Sequence, residues 1–167
     1  ILSVSLVACG DAATKTEDHS VHDTATVKTV NPDSTVSVSL KDASLNAVYQ
    51  HYIHLKTALV NGDVVEAKKA AMAIEEGALQ LTDGKAIAAE AAKVSATSDI
   101  ETQRVAFSTI SNLLIPKVKA SGFNSGDLYV EYCPMAFNDK GAQWIINEKE
   151  IRNPYFGDKM LTCGEIR

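Results

Sequence analysis

Two short segments near the C-terminal end of the chain contain most of its sulfur. Cys133 and Met135 lie in a Cys-Pro-Met run, and Met160 and Cys163 lie in a Met-Leu-Thr-Cys run. The chain has three cysteines and three methionines, so most of its sulfur atoms fall in these two runs. Thiolate and thioether are soft donors that favour copper(I), whereas magnesium and calcium prefer oxygen. The pattern therefore predicts a soft-metal site formed by these four residues.

The spacing of Cys133 and Cys163 leaves other roles open. In an oxidising compartment, two cysteines this far apart commonly form a structural disulfide, and methionine is an ordinary filler of core gaps. Such a disulfide stabilises a fold by roughly 3–4 kcal/mol in the chain-entropy model. A reactive or inert free thiol is the third alternative, although nothing in the sequence supplies the adjacent base or second close cysteine that catalysis by Cys133 requires.

The N-terminal segment indicates the compartment. Residues 1–8 are apolar and uncharged, and Cys9 comes directly after them. The run is far shorter than the roughly twenty apolar residues of a membrane-spanning helix, and it is typical of the second half of a secretory signal. Residues 6–9 (Leu-Val-Ala-Cys) resemble a bacterial lipobox, so we predict that residues 1–9 are part of a lipoprotein signal and that a lipid on Cys9 is the only membrane anchor. An ordinary cleaved signal peptide or a strand fragment is the alternative.

Residues 10–41 differ in composition from the remainder of the chain. They are rich in Thr, Ser, Asp, Ala and Val, and they contain no aromatic residue. Because such a segment buries little apolar surface, we predict a flexible tether. Residues 36–40 alternate between apolar and polar and are compatible with a short docked strand. His19 and His22 would bind copper(II) or zinc weakly, but isolated histidines in a polar linker are usually solvated.

Helical periodicity runs from residue 42 to residue 120. Apolar residues recur at spacings of three, four and seven along successive segments, which is typical of helices with one buried face. The pair Asn61-Gly62 predicts the end of the first helix, and Asp63 predicts the cap of the second. We expect Ser98 or Asp99 to cap the N-terminus of the last helix. Short connections favour antiparallel neighbours, so the sequence predicts an up-and-down helical bundle.

Two residues of these helices need separate treatment. Pro116 lies within the last helical pattern, and we expect it to bend or end that helix. His54 lies roughly opposite the apolar stripe of the first helix, which predicts an exposed side chain. Imidazole is the commonest metal ligand, so His54 is a fifth candidate ligand if the C-terminal segment packs over that side of the bundle.

Residues 121–167 have a different pattern. Residues 128–133 alternate as in a strand, residues 138–141 form a turn signal, and residues 143–146 predict a returning strand. A module of this size has little core of its own, and it requires the bundle, a disulfide or a metal to hold its shape. The predicted fold is mainly α: an antiparallel up-and-down helical bundle (42–120) with a small irregular C-terminal β-hairpin module (121–167), together one domain.

Three runs of this module also carry a family resemblance. They are YCPMA at 132–136, GAQW at 141–144 and IRNPYFGDKMLTCG at 151–164. With YQHYIHLKTALV at 49–60, they resemble the DUF3347 family over about residues 43–167. The resemblance implies a Bacteroidetes envelope protein of a kind found alone or fused to periplasmic adaptor subunits of heavy-metal efflux pumps. It implies copper or heavy-metal handling by association. All four sulfur residues match the family motif, and His54 is an addition of our own.

Composition excludes several functions. The net charge of −5 leaves no basic footprint for nucleic acid. The sequence contains no P-loop, no dinucleotide-binding glycine motif, no nucleophile elbow, no His-Glu-x-x-His and no haem-attachment motif. We therefore expect no enzyme. We expect an envelope lipoprotein that binds copper(I) for storage or for transfer to a periplasmic efflux subunit. The alternative is a non-catalytic interaction module with a structural Cys133–Cys163 disulfide.

Overall fold

Four helices make up most of the structure, a computed structural model that describes residues 38–167. They are α1 (Ala43–Val60), α2 (Val64–Ala78), α3 (Lys85–Ala96) and α4 (Ile100–Ser121). Each helix packs against the next one along the chain, and α1 also contacts α4. The predicted helical bundle is confirmed. Among the described helices, none combines the length and the apolar character that a membrane crossing requires.

The helix boundaries are set by capping residues. Asp42, Asp63 and Asp99 precede α1, α2 and α4, and each carboxylate accepts hydrogen bonds from backbone N–H groups of the first turn of its helix. These bonds satisfy donors that have no partner inside the helix. Gly62 adopts a φ of +70° in the turn between α1 and α2, a conformation that glycine adopts without strain. The caps predicted at Asp63 and Asp99 are confirmed.

Helix α4 continues past Pro116 to Ser121, so this proline does not end the helix, and a bend is the remaining part of the expectation. Tertiary contacts hold the last turn in place. Val118 is buried, and the Ser121 hydroxyl accepts a 3.3 Å hydrogen bond from the backbone N–H of Asp42. Packing of this turn against the start of α1 therefore outweighs the hydrogen bond that proline removes.

Strands occupy both ends of the described chain. Strand β1 (Ser39–Leu40) pairs antiparallel with β2 (Phe123–Ser125). A second sheet has the order β4-β3-β5, with β3 (Tyr129–Cys133) between β4 (Ala142–Ile146) and β5 (Glu165–Ile166), all antiparallel. The predicted hairpin of two strands is confirmed, and β5 adds a third strand that the sequence pattern did not indicate.

The end of the predicted tether is packed against the bundle. Val38 and Leu40 are both buried in the core, as expected if residues 36–40 dock as a strand. The Asn124 side chain donates a 3.1 Å hydrogen bond to the Leu40 carbonyl. The predictions for Cys9, His19 and His22 concern residues 1–37, which lie outside the described part of the chain.

Candidate functional site

The structure brings the two C-terminal thiols together. Cys133 is the last residue of β3 and is buried, and Cys163 lies three residues after the 3₁₀ helix Gly157–Met160 and is partly exposed. Their Sγ atoms are 2.6 Å apart, and the structure does not join them as a disulfide. A pair of cysteines distant in sequence therefore meets at the end of the central strand.

A buried asparagine positions the second thiol. The side-chain amide of Asn153 donates a 2.6 Å hydrogen bond to the Cys163 carbonyl, and its Oδ1 accepts from the backbone N–H groups of Tyr155 and Phe156. Its own backbone N–H donates to the Leu161 carbonyl at 2.8 Å. Asn153 thus joins the aromatic turn (residues 153–157, which include Tyr155 and Phe156) to the turn that carries Cys163. In the sequence, Asn153 stands out only as part of the run at 151–164 that carries the family resemblance.

An arginine ties the same segment to the helices. Arg104 on α4 is buried, and its Nε donates to the Pro154 carbonyl at 2.9 Å while Nη2 donates to the Leu59 carbonyl at the end of α1. Gly157 lies against this guanidinium, because a Cβ there would be 2.9 Å from Nη2. These contacts fix the chain between Asn153 and the 3₁₀ helix relative to the bundle.

The two methionines of the motif line one cleft. Met135 is 46% exposed, and it shares with Met160 a cleft of about 640 Å³. The other lining residues are Glu101, Arg104, Phe137, Asn138, Asp139, Tyr155, Phe156 and Lys159. Neither thiol lines this cleft. The structure therefore groups the four sulfur residues as a thiol pair and a thioether pair, each thioether within three residues of a thiol.

The cleft wall contains an unusual backbone segment. Helix α5 (Ala136–Asp139) has three consecutive residues with left-handed φ angles: 54° at Phe137, 56° at Asn138 and 63° at Asp139. Non-glycine residues in this conformation cost about 1 kcal/mol or more each, and such strain concentrates at functional sites. Phe137 packs edge-on against Tyr155 at 5.3 Å between ring centroids, which offsets part of the strain.

His54 is exposed, as its position on the helix predicts. Its Nε2 lies 3.2 Å from a carboxylate oxygen of Glu66 on α2. Within the described residues, no group of three or more His, Cys, Asp and Glu side chains is arranged to hold a metal ion. A metal ion at the thiol pair would therefore have the two cysteines as its ligands, and any further donor would have to be a thioether or come from outside the chain.

Burial affects the protonation of Cys163. It raises the pKa of Cys163 to about 11, and the neighbouring Cys133 thiol contributes to the same shift. Because a metal ion binds the thiolate form, binding at this pair must displace protons. Metal affinity would accordingly increase with pH in the neutral range.

A buried acidic residue, Glu131, lies two residues before Cys133 on β3, close to Lys56 of α1. Glu131 is buried, and neither of its carboxylate oxygens has a hydrogen-bond partner among the described residues. Burial raises its pKa to about 7, and nearby Lys56 and Trp144 oppose that shift. Burial lowers the pKa of Lys56 in turn. Lys56 lines a cleft of about 430 Å³ with Thr57, Val60, Asn61, Glu148 and Arg152.

Sequence reasoning missed the cluster around Glu131 and Lys56. The available signal was the alternation of β3, which places Glu131 on the same strand face as Cys133. Since that face is the buried one, the acid is carried inside with the thiol. Lys56 falls within the apolar stripe of α1, and its burial was predictable from that position.

The helical part of the chain matches a known family. Residues 48–126 match the family described as "Protein of unknown function (DUF3347)". The resemblance to DUF3347 is confirmed over these residues. The match extends from α1 to β2, and the thiol pair lies beyond its C-terminal end. No curated protein and no solved structure matches the chain.

Proposed function

We propose that this DUF3347 protein binds a soft metal ion, copper(I) above all, through Cys133 and Cys163. The observation that carries the proposal is the 2.6 Å approach of the two Sγ atoms, contributed by elements distant in sequence. Thiolates are the protein ligands best suited to copper(I). The proposed ion is cargo, held for storage or for transfer to a periplasmic efflux subunit, and no catalysis is involved.

Metal binding requires a small opening of the thiol pair. With metal–sulfur bonds of about 2.3 Å, two sulfurs on one tetrahedral ion lie about 3.8 Å apart. One Sγ must therefore move by about 1 Å from its present position. Cys163 is the side chain to move, because it is partly exposed in a turn, whereas Cys133 is buried within the sheet.

In this proposal the methionines supply the remaining donors after their side chains turn from the cleft towards the thiols, neither of which lines that cleft. Met135 lies two residues after Cys133, and the Met160 carbonyl accepts a 3.1 Å hydrogen bond from the Cys163 backbone N–H. Both thioethers reach the surface of one cleft. Neutral thioethers bind more weakly than thiolates, so an incoming partner would displace them first and then receive the ion by stepwise ligand exchange. His54, beside Glu66, is the least supported of the five candidate ligands.

The proposed location is the periplasmic or outer face of a bacterial envelope, with the lipid on Cys9 as the anchor. It rests on the lipobox-like residues 6–9 and on the association that the family resemblance implies. A lipid anchor with a tether of about thirty residues would let the metal-binding module reach a membrane-bound efflux partner over roughly 30 Å.

A competition titration with a chromophoric copper(I) chelator, under anaerobic reducing conditions, tests the proposal. We expect one tight site in the wild type, its loss in Cys133→Ser and in Cys163→Ser, and about tenfold weaker binding in Met135→Leu or Met160→Leu. Met72→Leu on α2 is the matched methionine control and should bind as the wild type does. Unchanged affinity in the cysteine variants would refute the site.

The disulfide is a second candidate, favoured by the short Sγ–Sγ separation. In an oxidising compartment the pair would form a structural disulfide between β3 and the C-terminal turn. The aromatic surface of the C-terminal module (121–167) would then dock onto an adaptor or pump subunit. A mass measurement of protein isolated without reductant distinguishes the two states. A disulfide makes the linked Cys133 and Cys163 peptides about two mass units lighter than the two reduced peptides together. This mass, together with no copper(I) binding after reduction, would favour the second function.

A further inference from the structure

The outer face of α2 carries an apolar stripe that nothing in the described chain covers. Val65, Met72 and Leu79 are 62%, 55% and 58% exposed, and they are spaced seven residues apart. Residues at this spacing lie along one line of a helix, as in the seam of a coiled coil. Large apolar side chains aligned in this way are typical of a surface that another helix covers.

Charged residues flank the stripe symmetrically. Lys68 and Lys69 precede Met72 by four and three residues, and Glu75 and Glu76 lie three and four residues after it. The Lys-Lys and Glu-Glu pairs are therefore equidistant from Met72 along the helix. A rotation by half a turn about Met72 exchanges the basic end of the stripe with the acidic end.

Neither the lysine pair nor the glutamate pair forms a strong interaction within the described part of the chain. Lys68 donates to the Ser98 hydroxyl and Lys69 forms a surface ion pair with Glu66, and such exposed interactions contribute little. The side chains of Glu75 and Glu76 form no hydrogen bond or ion pair within the described residues. All four charges are therefore available to a partner.

We propose that α2 is the interface of a symmetric dimer, with a second copy of this chain packed antiparallel against it and the two-fold axis at Met72. In this arrangement Val65 packs against Leu79 of the second copy, and the two Met72 side chains meet. Lys68 and Glu75 lie on one side of the stripe, and Lys69 and Glu76 lie on the other side. In an antiparallel pair each side of the stripe faces the same side of the second helix, so Lys68 meets Glu75 of the second copy and Lys69 meets Glu76. Symmetry repeats each pair, which gives four ion pairs.

The charge pattern discriminates between partners. A parallel, in-register pair of α2 helices would place lysine against lysine and glutamate against glutamate, which is repulsive. In the antiparallel dimer, each of these lysines and glutamates faces a residue of opposite charge. Since α2 has fifteen residues and is about 22 Å long, the interface is small, and we expect a dissociation constant of about 10 µM to 1 mM.

Sedimentation equilibrium of the full chain in reducing, metal-free buffer tests this dimer with charge-swapped variants. K68E/K69E and E75K/E76K each place like charges across the interface and should weaken self-association at least about tenfold. The quadruple variant K68E/K69E/E75K/E76K restores opposite charges and should dimerise as the wild type does. An equimolar mixture of the two double variants should form a heterodimer tighter than the wild-type homodimer.

Val105→Glu is the matched control, since Val105 is an exposed apolar residue on α4, 54% accessible, and its replacement should leave the dimer unchanged. Met72→Glu should abolish the dimer. A wild-type chain that stays monomeric up to about 1 mM would overturn the proposal, as would a quadruple variant that does not recover association. A monomeric wild-type chain is also the result expected if α2 binds a different protein.

Discussion

The side-chain amide of Asn153 donates a 2.6 Å hydrogen bond to the backbone carbonyl of Cys163, and this bond sets the position of the second thiol. The same side chain accepts hydrogen bonds from two backbone N–H groups of the aromatic turn. Asn153 is fully buried, so no water can replace these partners. The geometry of the thiol pair therefore depends on a residue that carries no sulfur.

Replacing Asn153 with alanine should destabilise the fold and loosen the thiol pair. The substitution leaves buried backbone groups without partners, and we expect the free energy of unfolding in urea to fall by about 2–4 kcal/mol. Asn112→Ala is the matched control, because Asn112 is exposed and accepts a single hydrogen bond from Gln143. Equal stability of the two variants would show that Asn153 does not hold the turn.

Tyr52 connects the helical bundle to the C-terminal sheet. Its hydroxyl lies 2.8 Å from the Ser111 hydroxyl on α4 and accepts a 3.0 Å hydrogen bond from the Ile145 backbone N–H on β4. Tyr52→Phe keeps the ring packing against Phe107 but leaves these buried groups unpaired. We expect a loss of about 1–3 kcal/mol in unfolding free energy. Tyr129→Phe, at a partly exposed ring, should change stability by less than about 0.5 kcal/mol.

Glu131 should make the stability depend on pH. Burial raises its pKa from 4.5 to about 7, so the folded state holds a proton that the unfolded state releases. The contribution of Glu131 to stability is therefore greatest below pH 4.5 and decreases as the pH rises towards 7. A shift of this size corresponds to roughly 3 kcal/mol.

Glu131→Gln removes this titration. We expect the variant to be more stable than the wild type above pH 7, by on the order of a few kcal/mol, with the difference shrinking towards pH 4.5. Urea unfolding at a series of pH values measures the difference. Glu165→Gln on the exposed strand β5 is the control and should behave as the wild type does at every pH. A constant difference between Glu131→Gln and the wild type across the pH range would contradict the assignment.

Oxidation of the thiol pair should stabilise the chain. If the Cys133–Cys163 bond forms, it closes a loop between β3 and the C-terminal turn, and the chain-entropy model predicts roughly 3–4 kcal/mol. Urea unfolding with and without reductant measures this gain. The C133S/C163S variant should show no response to reductant, which separates the effect of the bond from any general effect of the reagent.

Much of the fold was predictable from local signals. The caps Asp63 and Asp99 and the glycine turn at Gly62 set the helix boundaries, because each satisfies a local requirement of backbone hydrogen bonding or conformation. The alternation of residues 128–133 and 143–146 likewise indicated the hairpin. These features need only neighbouring residues, and so the sequence displays them.

The rest depends on contacts between distant residues. Helix α4 passes Pro116 because Val118 is buried against other elements, and local propensity does not contain that information. Local sequence also does not show that Met135 and Met160 line a cleft that neither thiol reaches. The alternation of β3 places Glu131 on the same face as Cys133, but which face of the strand is buried depends on the docking of the sheet onto the bundle.

Protection of the thiols by copper(I) tests the central proposal most directly. The unlipidated full chain is alkylated under anaerobic reducing conditions, with and without one equivalent of copper(I), and labelling at each cysteine is read by mass spectrometry. We predict that one copper ion protects Cys133 and Cys163 together, while Cys9 is labelled to the same extent in both samples. Undiminished labelling of Cys163 in the copper-loaded sample would contradict a shared metal site.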